Sequence, residues 1–386
     1  MSVEKNVPEI RFKGFGGEWQ EDKLGQLYSF QYGEFNNNPS NGGQYPVYGA
    51  NGIIGGYTRF NARCSAVIGH MGEYAGSVLW AEGEHFVTYN GTIAKPKKSD
   101  FNPLFGYFSL VKMNLKKVCG GSGQPFLSYD ALERLDFVFP AEAEQTAIGN
   151  TFQKLDSLIS QHQQKHDKLS NIKKAMLEKM FPQKCETIPE IRFKGFSGEW
   201  EDKQLGTDVA DIIGGGTPST SIAEFWNGDI DWYSPTEIGD KVYAEGSQKK
   251  ITALGLKSSS AKLLPAGRTV LFTSRAGIGD MAILTKPGTT NQGFQSFVVK
   301  EGFVPYFIYS AGKQIKEYAL KHASGSTFLE ISGKQLGRMK ILLPCETEQA
   351  AIGSYFQKLD ALINQHQQQI TKLNNIKQAC LSKMFV

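Results

Sequence analysis

The sequence lacks most features of secreted, metal-binding or membrane-spanning proteins. Its 386 residues include five cysteines, an odd number, and they form no Cys-x-x-Cys pair and no His/Cys cluster. A disulfide framework is therefore not expected, and neither a metal nor a cofactor site is predicted. No apolar run approaches the roughly 20 residues that span a bilayer, and the N-terminus has no apolar signal core. The expected location is the cytoplasm, away from membranes.

Motifs for enzymatic chemistry are also missing. Gly214–Pro218 is glycine-rich but has no following Lys-Ser/Thr, which favours a flexible turn over a phosphate-binding loop. The chain has no G-x-G-x-x-G after a strand, no His-Glu-x-x-His and no G-x-S-x-G. His162 and His166 share a helix face, but Ile370 replaces the second histidine in the repeated copy, which favours a structural role over a metal pair. A catalytic site is therefore not predicted.

A pair of long repeats dominates what is present. Gln145–Met180 and Gln349–Met384 are identical at about two thirds of their positions, and their apolar residues recur in alternating steps of four and three. This spacing predicts two helices of about 54 Å with a coiled-coil seam, each helix being the other's simplest partner. The alternatives are a plain stalk or a ruler that separates two similar domains. The predicted seam residues are Ile148, Phe152, Leu155, Ile159, Leu169, Ile352, Phe356, Leu359, Ile363 and Leu373.

A second repeat fixes the order of the chain. Pro8–Gly25 and Pro189–Gly206 are nearly identical, and one precedes each globular region. If the halves are related by a pseudo-twofold, the two termini are neighbours, the chain is effectively circular, and the helices lie antiparallel. The predicted segments are residues 1–141 (first recognition domain), 142–183 (central helix), 184–345 (second recognition domain) and 346–386 (C-terminal helix).

Both globular regions contain short strand-like runs separated by glycine turns, which predicts an α+β fold with two sheet-rich domains. Three pairs of loops correspond between the regions. They are Gly69–Gly72 with Ser274–Gly279, Tyr89–Gly91 with Asn291–Gly293, and Ser122–Leu127 with Ser324–Leu329. The connecting repeats are nearly identical while the domains have diverged, so each domain is expected to recognise something different.

Nucleic-acid binding is the remaining functional signal. The net charge is only +4, but the glycine-rich regions carry basic and amide side chains. Arginine pairs with guanine edges, asparagine and glutamine with adenine, and lysine mainly with phosphate. The alternative is that these side chains are ordinary surface groups that bind no ligand. The candidate DNA-binding residues are Arg59, Arg63, His70, Lys95, Lys97, Lys249, Lys250, Arg275, Asn291 and Gln292.

Several short motifs occur in the two halves of the chain. They are Gly215–Ser219 followed by Phe225–Trp232, Tyr45–Gly55, Thr290–Gly293, and Pro-x-x-x-Glu-Gln-x-x-Ile-Gly at each helix start. In duplicate and in order, these motifs make the chain resemble the DNA-specificity (S) subunit of type I restriction-modification systems. The resemblance covers both halves of the chain.

The resemblance implies two target-recognition domains, each reading one half of a bipartite, asymmetric site in double-stranded DNA. It implies that the helix pair sets the spacing and docks two methyltransferase (M) subunits, and that translocase-nuclease (R) subunits join. Members of this family have no catalytic activity, and methyl donor and ATP belong to the partners. Two other classes remain open: a self-contained methyltransferase or nuclease, and an adaptor that joins proteins without binding DNA.

Overall fold

The computed structural model describes residues 6–36, 42–121, 123–239, 241–275, 277–325 and 329–386. The chain divides into two compact units. Unit 1 comprises Met1–Gln164 and Gln367–Val386, and unit 2 comprises Lys165–His366. Ser122, Ala276, Ser326, Thr327 and Phe328 of the corresponding loops lie outside the described residues. Each unit contains one sheet-rich domain and a part of each long helix.

The two long helices are α4 (Glu142–Lys179) and α9 (Glu346–Lys383), each of 38 residues. Both begin three residues before the repeated stretches that start at Gln145 and Gln349, at the first residues of the helical segments 142–183 and 346–386. Their first turns carry Glu142 with Glu144 and Glu346 with Glu348. Acidic side chains interact favourably with the positive end of the helix dipole, which favours helix starts at these positions.

Unit 1 is built on a six-stranded sheet with the order β2-β7-β5-β6-β3-β4, and a separate strand pair joins β1 to β8. Strands β3 and β6 are parallel, and the other neighbours in both sheets are antiparallel. The strands are β1 (Gln20–Lys23), β2 (Tyr28–Tyr32), β3 (Tyr45–Gly49), β4 (Gly52–Tyr57), β5 (Ala62–Gly69), β6 (Val78–Val87), β7 (Gly91–Pro96) and β8 (Asp136–Phe139). The shorter α-helices are α1 (Leu24–Leu27), α2 (Pro103–Met113) and α3 (Tyr129–Glu133).

Unit 2 contains a five-stranded sheet, β10-β17-β14-β15-β12, a three-stranded sheet, β13-β11-β16, and the pair β18-β9. The strands are β9 (Glu201–Gln204), β10 (Ala210–Gly214), β11 (Trp226–Tyr233), β12 (Tyr243–Ala244), β13 (Lys249–Ile251), β14 (Thr269–Phe272), β15 (Met281–Leu284), β16 (Gly288–Thr290), β17 (Gln295–Val299) and β18 (Lys340–Leu343). The shorter α-helices are α5 (Ala253–Lys257), α6 (Pro305–Ser310), α7 (Gly312–His322) and α8 (Gly333–Gly337).

The long helices run antiparallel within each unit. In unit 1, the Phe152 and Phe385 rings lie 5.6 Å apart, and Lys377 forms an ion pair with Asp156 at 2.5 Å. Residues further along α4 therefore contact residues nearer the start of α9. The equivalent contacts in unit 2 join Phe181 to Phe356 at 6.4 Å and Lys173 to Asp360 at 2.5 Å. These contacts confirm the predicted antiparallel helices.

Both chain ends belong to unit 1. Ile10 N donates to Lys383 O at 2.9 Å, and in unit 2 Ile191 N donates to Lys179 O at the same distance. The first contact joins the two termini, and the second lies within the continuous link between α4 and β9. The predicted circular organisation and the α+β fold class are therefore confirmed.

Among the described residues, no helix is both long enough and apolar enough to cross a lipid bilayer.

Candidate nucleic-acid interface

Four loops meet at one end of the main sheet of unit 1. We call residues 32–36, 69–76, 87–91 and 120–127 without Ser122 the loop cluster of unit 1. Short backbone hydrogen bonds join these loops: Gly33 N donates to Gly91 O at 2.8 Å and Gly72 N to Pro125 O at 2.9 Å. Four separate loops thereby form one continuous surface.

His70 lies at the buried centre of this cluster. Its side chain is only 4% exposed, and its ring lies 4.3 Å from that of Tyr32. Its backbone N donates to Asn90 O at 3.3 Å, and its backbone O accepts from Leu127 N at 2.8 Å. Burial lowers the pKa of the imidazole. In this position His70 holds three loops together.

Unit 2 has an equivalent loop cluster, which consists of residues 214–218, 273–280, 290–294 and 324–331 without the four positions that the structure does not describe. Gly216 N donates to Thr290 O at 2.8 Å, and Ile331 N donates to Ser274 O at 3.1 Å. Here Ser274 takes the place that His70 occupies in unit 1.

The hydrogen bonds fix the equivalence of the two clusters residue by residue. Glu34 N donates to Val87 O at 2.9 Å, as Gly216 N does to Thr290 O at 2.8 Å. Thr88 N donates to Tyr48 O and Asn291 N to Tyr233 O, both at 3.0 Å.

Tyr89 is therefore equivalent to Gln292. The sequence comparison, which aligned Tyr89–Gly91 with Asn291–Gly293, is one residue out of register. That comparison matched Gly91 with Gly293 by residue type. The parallel strand pairs instead place Val87 beside Tyr48 and Thr290 beside Tyr233, so the loop residues that follow are counted from Val87 and Thr290.

A glycine allows the closest approach in each cluster. A Cβ added to Gly33 would lie 2.1 Å from Thr88 O, and one added to Gly215 would lie 1.9 Å from Asn291 O. No side chain fits at either distance, so the first loop packs backbone to backbone against the third. This is the structural role of Gly215 in the glycine-rich run.

Three predicted residues of unit 2 belong to its loop cluster. The side chain of Gln292 is exposed and accepts a hydrogen bond from Thr217 Oγ1 at 2.5 Å. Asn291 Oδ1 instead accepts from Gly293 N at 2.8 Å, so this side chain shapes the turn. Arg275 Nη1 lies 4.0 Å from Glu330 Oε2.

Lys249 and Lys250 lie on β13, separated by β11 from the strand that leads into the Asn291 loop. Both side chains are exposed, and Lys250 Nζ lies 3.6 Å from Asp231 Oδ1. They flank the loop cluster.

The predicted residues of unit 1 are more scattered. Arg59 borders the loop cluster because it donates to Glu34 at 2.6 Å. Arg63 pairs with Glu84 near the start of β5, whereas the cluster lies at the other end of this strand. Lys95 lies near the end of β7, and Lys97 follows that strand, whose first residue is in the cluster. Lys97 Nζ donates to Gly25 O at 2.5 Å, near the helices.

The loop clusters present hydrogen-bonding groups and aromatic rings. In the described part of the chain, no group of three or more His, Cys, Asp or Glu side chains is arranged to hold a metal ion. Each cluster exposes side chains suited to recognition, on loops that are joined by backbone hydrogen bonds.

Comparison with known proteins identifies this arrangement. Residues 16–171 and 197–375 match the family described as Type I restriction modification DNA specificity domain, so both halves are covered. The chain belongs to this family.

Two curated relatives are specificity subunits. The chain is 35% identical over 192 residues to the type I restriction enzyme MjaIX specificity subunit of Methanocaldococcus jannaschii, covering 49% of this chain and 44% of the relative. It is 35% identical over 176 residues to the EcoR124I/EcoR124II specificity subunit of Escherichia coli, covering 43% of this chain and 42% of the relative. Each alignment thus spans less than half of the relative's length.

A solved structure has the same fold. The chain superposes on the S subunit of a type I restriction-modification system from M. genitalium with a TM-score of 0.75. The alignment covers 98% of this chain and 99% of that chain at 15% identity. At this identity the likeness concerns the fold alone.

The predicted seam residues of the two long helices differ in how deeply they are buried. Ile148, Phe152, Ile352 and Phe356 are buried in the domain cores, with Leu359 also buried. Leu155 and Leu169 are partly buried against those cores. Ile159, Ile363 and Leu373 are half-buried. The ends of the seam thus serve as part of the domain cores.

Sequence reasoning missed the exposed aromatic pair of unit 1. The Phe35 and Tyr89 rings lie 5.5 Å apart, and the two residues come from different loops of the cluster. The available signal was Phe35, an apolar residue directly after Gly33-Glu34 in a loop. A search for basic and amide side chains does not include such a residue.

Proposed function

We propose that this chain is the DNA-binding specificity subunit of a type I restriction-modification complex, in which each recognition domain reads one half of a bipartite site. Residues 1–141 and 184–345 are the two recognition domains, residues 142–183 and 346–386 the two helical segments. The observation that carries the proposal is the pair of equivalent loop clusters, with the same backbone hydrogen bonds and different exposed side chains.

Two equivalent surfaces with different side chains suit an asymmetric target. A base edge is read by side chains that match its donors, acceptors and methyl group. At the equivalent positions, unit 2 exposes the hydroxyl of Thr217 and the amide of Gln292, whereas unit 1 exposes the aromatic rings of Phe35 and Tyr89. The same backbone therefore offers two different patterns to DNA, and the two half-sites need not have the same sequence.

The position of each predicted DNA-binding residue suits a particular role. Arg275, Asn291 and Gln292 belong to the base-reading surface of unit 2. Lys249 and Lys250 beside it suit phosphate contacts, which position a protein on the duplex.

In unit 1, Arg59 borders the reading surface, and His70 supports it from beneath. Arg63, Lys95 and Lys97 lie away from the cluster and would meet only flanking phosphates.

The long helices suit the roles of spacer and docking surface. A 38-residue helix is about 57 Å long at ~1.5 Å per residue, the length of about 17 base pairs of duplex. Methyltransferase (M) subunits would dock on this helix pair and translocase-nuclease (R) subunits would complete the complex, supplying methyl donor, ATP and catalysis. This chain itself would act by recognition alone.

Co-expression with the cognate methyltransferase subunit, in a host without other DNA methylation, tests the proposal. Sequencing of methylated bases across the genome should reveal a new motif in two parts with a fixed spacer, absent when this chain is omitted. A stable complex that produces no motif, together with no binding to duplex DNA, would favour a protein-joining adaptor. Methyl transfer by the purified chain alone would favour a self-contained enzyme.

A further inference from the structure

We propose that two equivalent pairs of exposed side chains read DNA bases, the aromatic pair Phe35 and Tyr89 in unit 1 and the polar pair Thr217 and Gln292 in unit 2. This inference rests on the proposed function and deepens it, because it names the reading residues and the kind of contact that each unit makes.

The two pairs occupy the same positions in their loop clusters. Phe35 follows Glu34, whose N donates to Val87 O, and Thr217 follows Gly216, whose N donates to Thr290 O. On the opposite loop, Tyr89 and Gln292 each come directly after a residue whose N donates to a strand tyrosine carbonyl.

Each pair also bridges the same two loops through its side chains. The contact is between two rings in unit 1 and is a hydrogen bond in unit 2. The two units thus share the position of the pair and differ in its chemistry.

The aromatic pair presents an apolar surface to the solvent. Phe35 is 69% exposed and Tyr89 is 45% exposed, with the ring planes at 43° to each other. Apolar surface exposed in this way is usually covered by a ligand when it lies in a recognition site. In the major groove the thymine C5-methyl is the largest apolar group that base pairs expose, and it is read by apolar side chains. The pair therefore selects thymine in the half-site of unit 1.

The polar pair offers the opposite chemistry. Thr217 Oγ1 donates to Gln292 Oε1 at 2.5 Å, and this bond fixes the orientation of the amide. A fixed glutamine amide can donate to one base atom and accept from another, which is the pattern that adenine N7 and N6 require. Unit 2 therefore reads its half-site through hydrogen bonds at the position where unit 1 uses apolar contact.

Paired variants of the full chain, assembled with the methyltransferase subunit, test this division. Phe35→Ala with Tyr89→Ala should relax one part of the methylation motif and leave the other part and the spacer unchanged. Thr217→Ala with Gln292→Ala should relax only the opposite part. Val111→Ala removes an exposed apolar side chain from α2 and should leave both parts intact.

Duplexes carrying the motif test the thymine contact directly. Replacing thymine by deoxyuridine removes only the methyl group. In the half-site that depends on Phe35 and Tyr89, this replacement should weaken binding of the complex roughly tenfold, within the range of one lost base contact. The complex with Phe35→Ala and Tyr89→Ala should show no further loss on the same duplex, because the two changes remove one shared contact.

The outcomes separate the two proposals. If the unaltered complex yields no motif, the proposed function fails. If it yields a motif that the aromatic variant leaves unchanged, or deoxyuridine costs the same in both complexes, the aromatic readout is wrong while the function stands. Equal weakening on all sequences would mean that the pair is a non-specific anchor, and this would also overturn the readout.

Discussion

Two arginine–glutamate pairs connect the repeated Pro-Glu-Ile-Arg segments to the long helices. Arg11 donates two hydrogen bonds to Glu144, at 2.6 and 2.7 Å, and Arg192 donates two to Glu348, both at 2.6 Å. The glutamate side chains are 2% and 1% exposed, so their charge is almost fully removed from water. A buried carboxylate is stable only while its partner remains.

Removal of Arg11 should therefore destabilise unit 1. We expect Arg11→Ala to lower the free energy of unfolding by about 3 kcal/mol, because Glu144 is left as an uncompensated buried charge. A second change, Glu144→Gln, should recover part of this loss. Chemical denaturation followed by hydrogen exchange of unit 1 measures both effects.

The matched control is Arg134→Ala, which breaks the exposed ion pair with Asp130 in the same unit. Exposed pairs contribute about 0–1 kcal/mol, so little change is expected. Equal effects of Arg11→Ala and Arg134→Ala would contradict the importance of the buried pair.

Two buried histidines make unit 1 sensitive to acid. Burial lowers the pKa of His70 and of His85 below the ordinary value of 6.5. At a pH between the lowered pKa of the folded state and the ordinary pKa of the unfolded state, the unfolded chain binds more protons than the folded chain. The free energy of unfolding therefore falls as the pH drops below about 6.5. We expect faster hydrogen exchange in β5 and β6 at pH 5.5 than at pH 7.5, after correction for the intrinsic rate.

The double variant His70→Gln with His85→Gln is the control for this pH dependence. It lacks the two titrating groups and should show a smaller difference between the two pH values, whatever its absolute stability. A pH dependence as large as that of the unaltered chain would show that other groups are responsible.

At the scale of secondary structure, each helix pair contains a lysine–aspartate contact in its seam. Lys173 pairs with Asp360 in unit 2, and Lys377 pairs with Asp156 in unit 1. Both lysines lie four residues after a seam leucine, Leu169 or Leu373, in the same alternating steps of four and three. Asp360 also accepts from Tyr306 at 2.7 Å and is 11% exposed, whereas Asp156 is 39% exposed. The unit 2 pair is therefore the more buried of the two.

We expect Lys173→Ala to cost about 2 kcal/mol of stability in unit 2 and Lys377→Ala less than about 1 kcal/mol in unit 1, since the cost of breaking an ion pair grows with burial. Thermal unfolding with segment-resolved hydrogen exchange distinguishes the units. The charge exchange Lys173→Asp with Asp360→Lys should restore part of the stability that Lys173→Asp alone loses. No rescue would mean that the lysine acts through its aliphatic stem.

At the scale of the whole molecule, the two units repeat the same internal contacts but expose different side chains. The contacts between domain core, long helices and repeated segments recur from unit 1 to unit 2, while the exposed side chains of the loop clusters differ. This arrangement suits the exchange of one domain without disturbance of the other.

Replacement of residues 209–344 by the second recognition domain of another family member tests this modularity. The methylation motif of the co-expressed complex should change in one part only, and the other part should keep its sequence. Replacement of residues 1–141 is the reciprocal control and should change the opposite part. A change of both parts by either exchange would contradict independent reading.

The sequence alone determined the features that repeat. Helix periodicity, the duplicated segments and the order of the chain are local patterns, and they were enough to predict two long antiparallel helices, two sheet-rich domains and neighbouring termini. The family resemblance rested on short motifs in both halves, among them Tyr45–Gly55 and Gly215–Ser219. These predictions succeeded because residues close in the sequence decide helix formation and repeat boundaries.

Only the tertiary structure decided the details of the recognition surfaces. Strand register between distant segments aligned Tyr89 with Gln292, packing buried His70 beneath the loops, and loop closure brought Phe35 beside Tyr89. Each outcome depends on contacts between residues far apart in the chain, and no local pattern encodes them. The type of a side chain was readable from the sequence, but its neighbours and exposure were not.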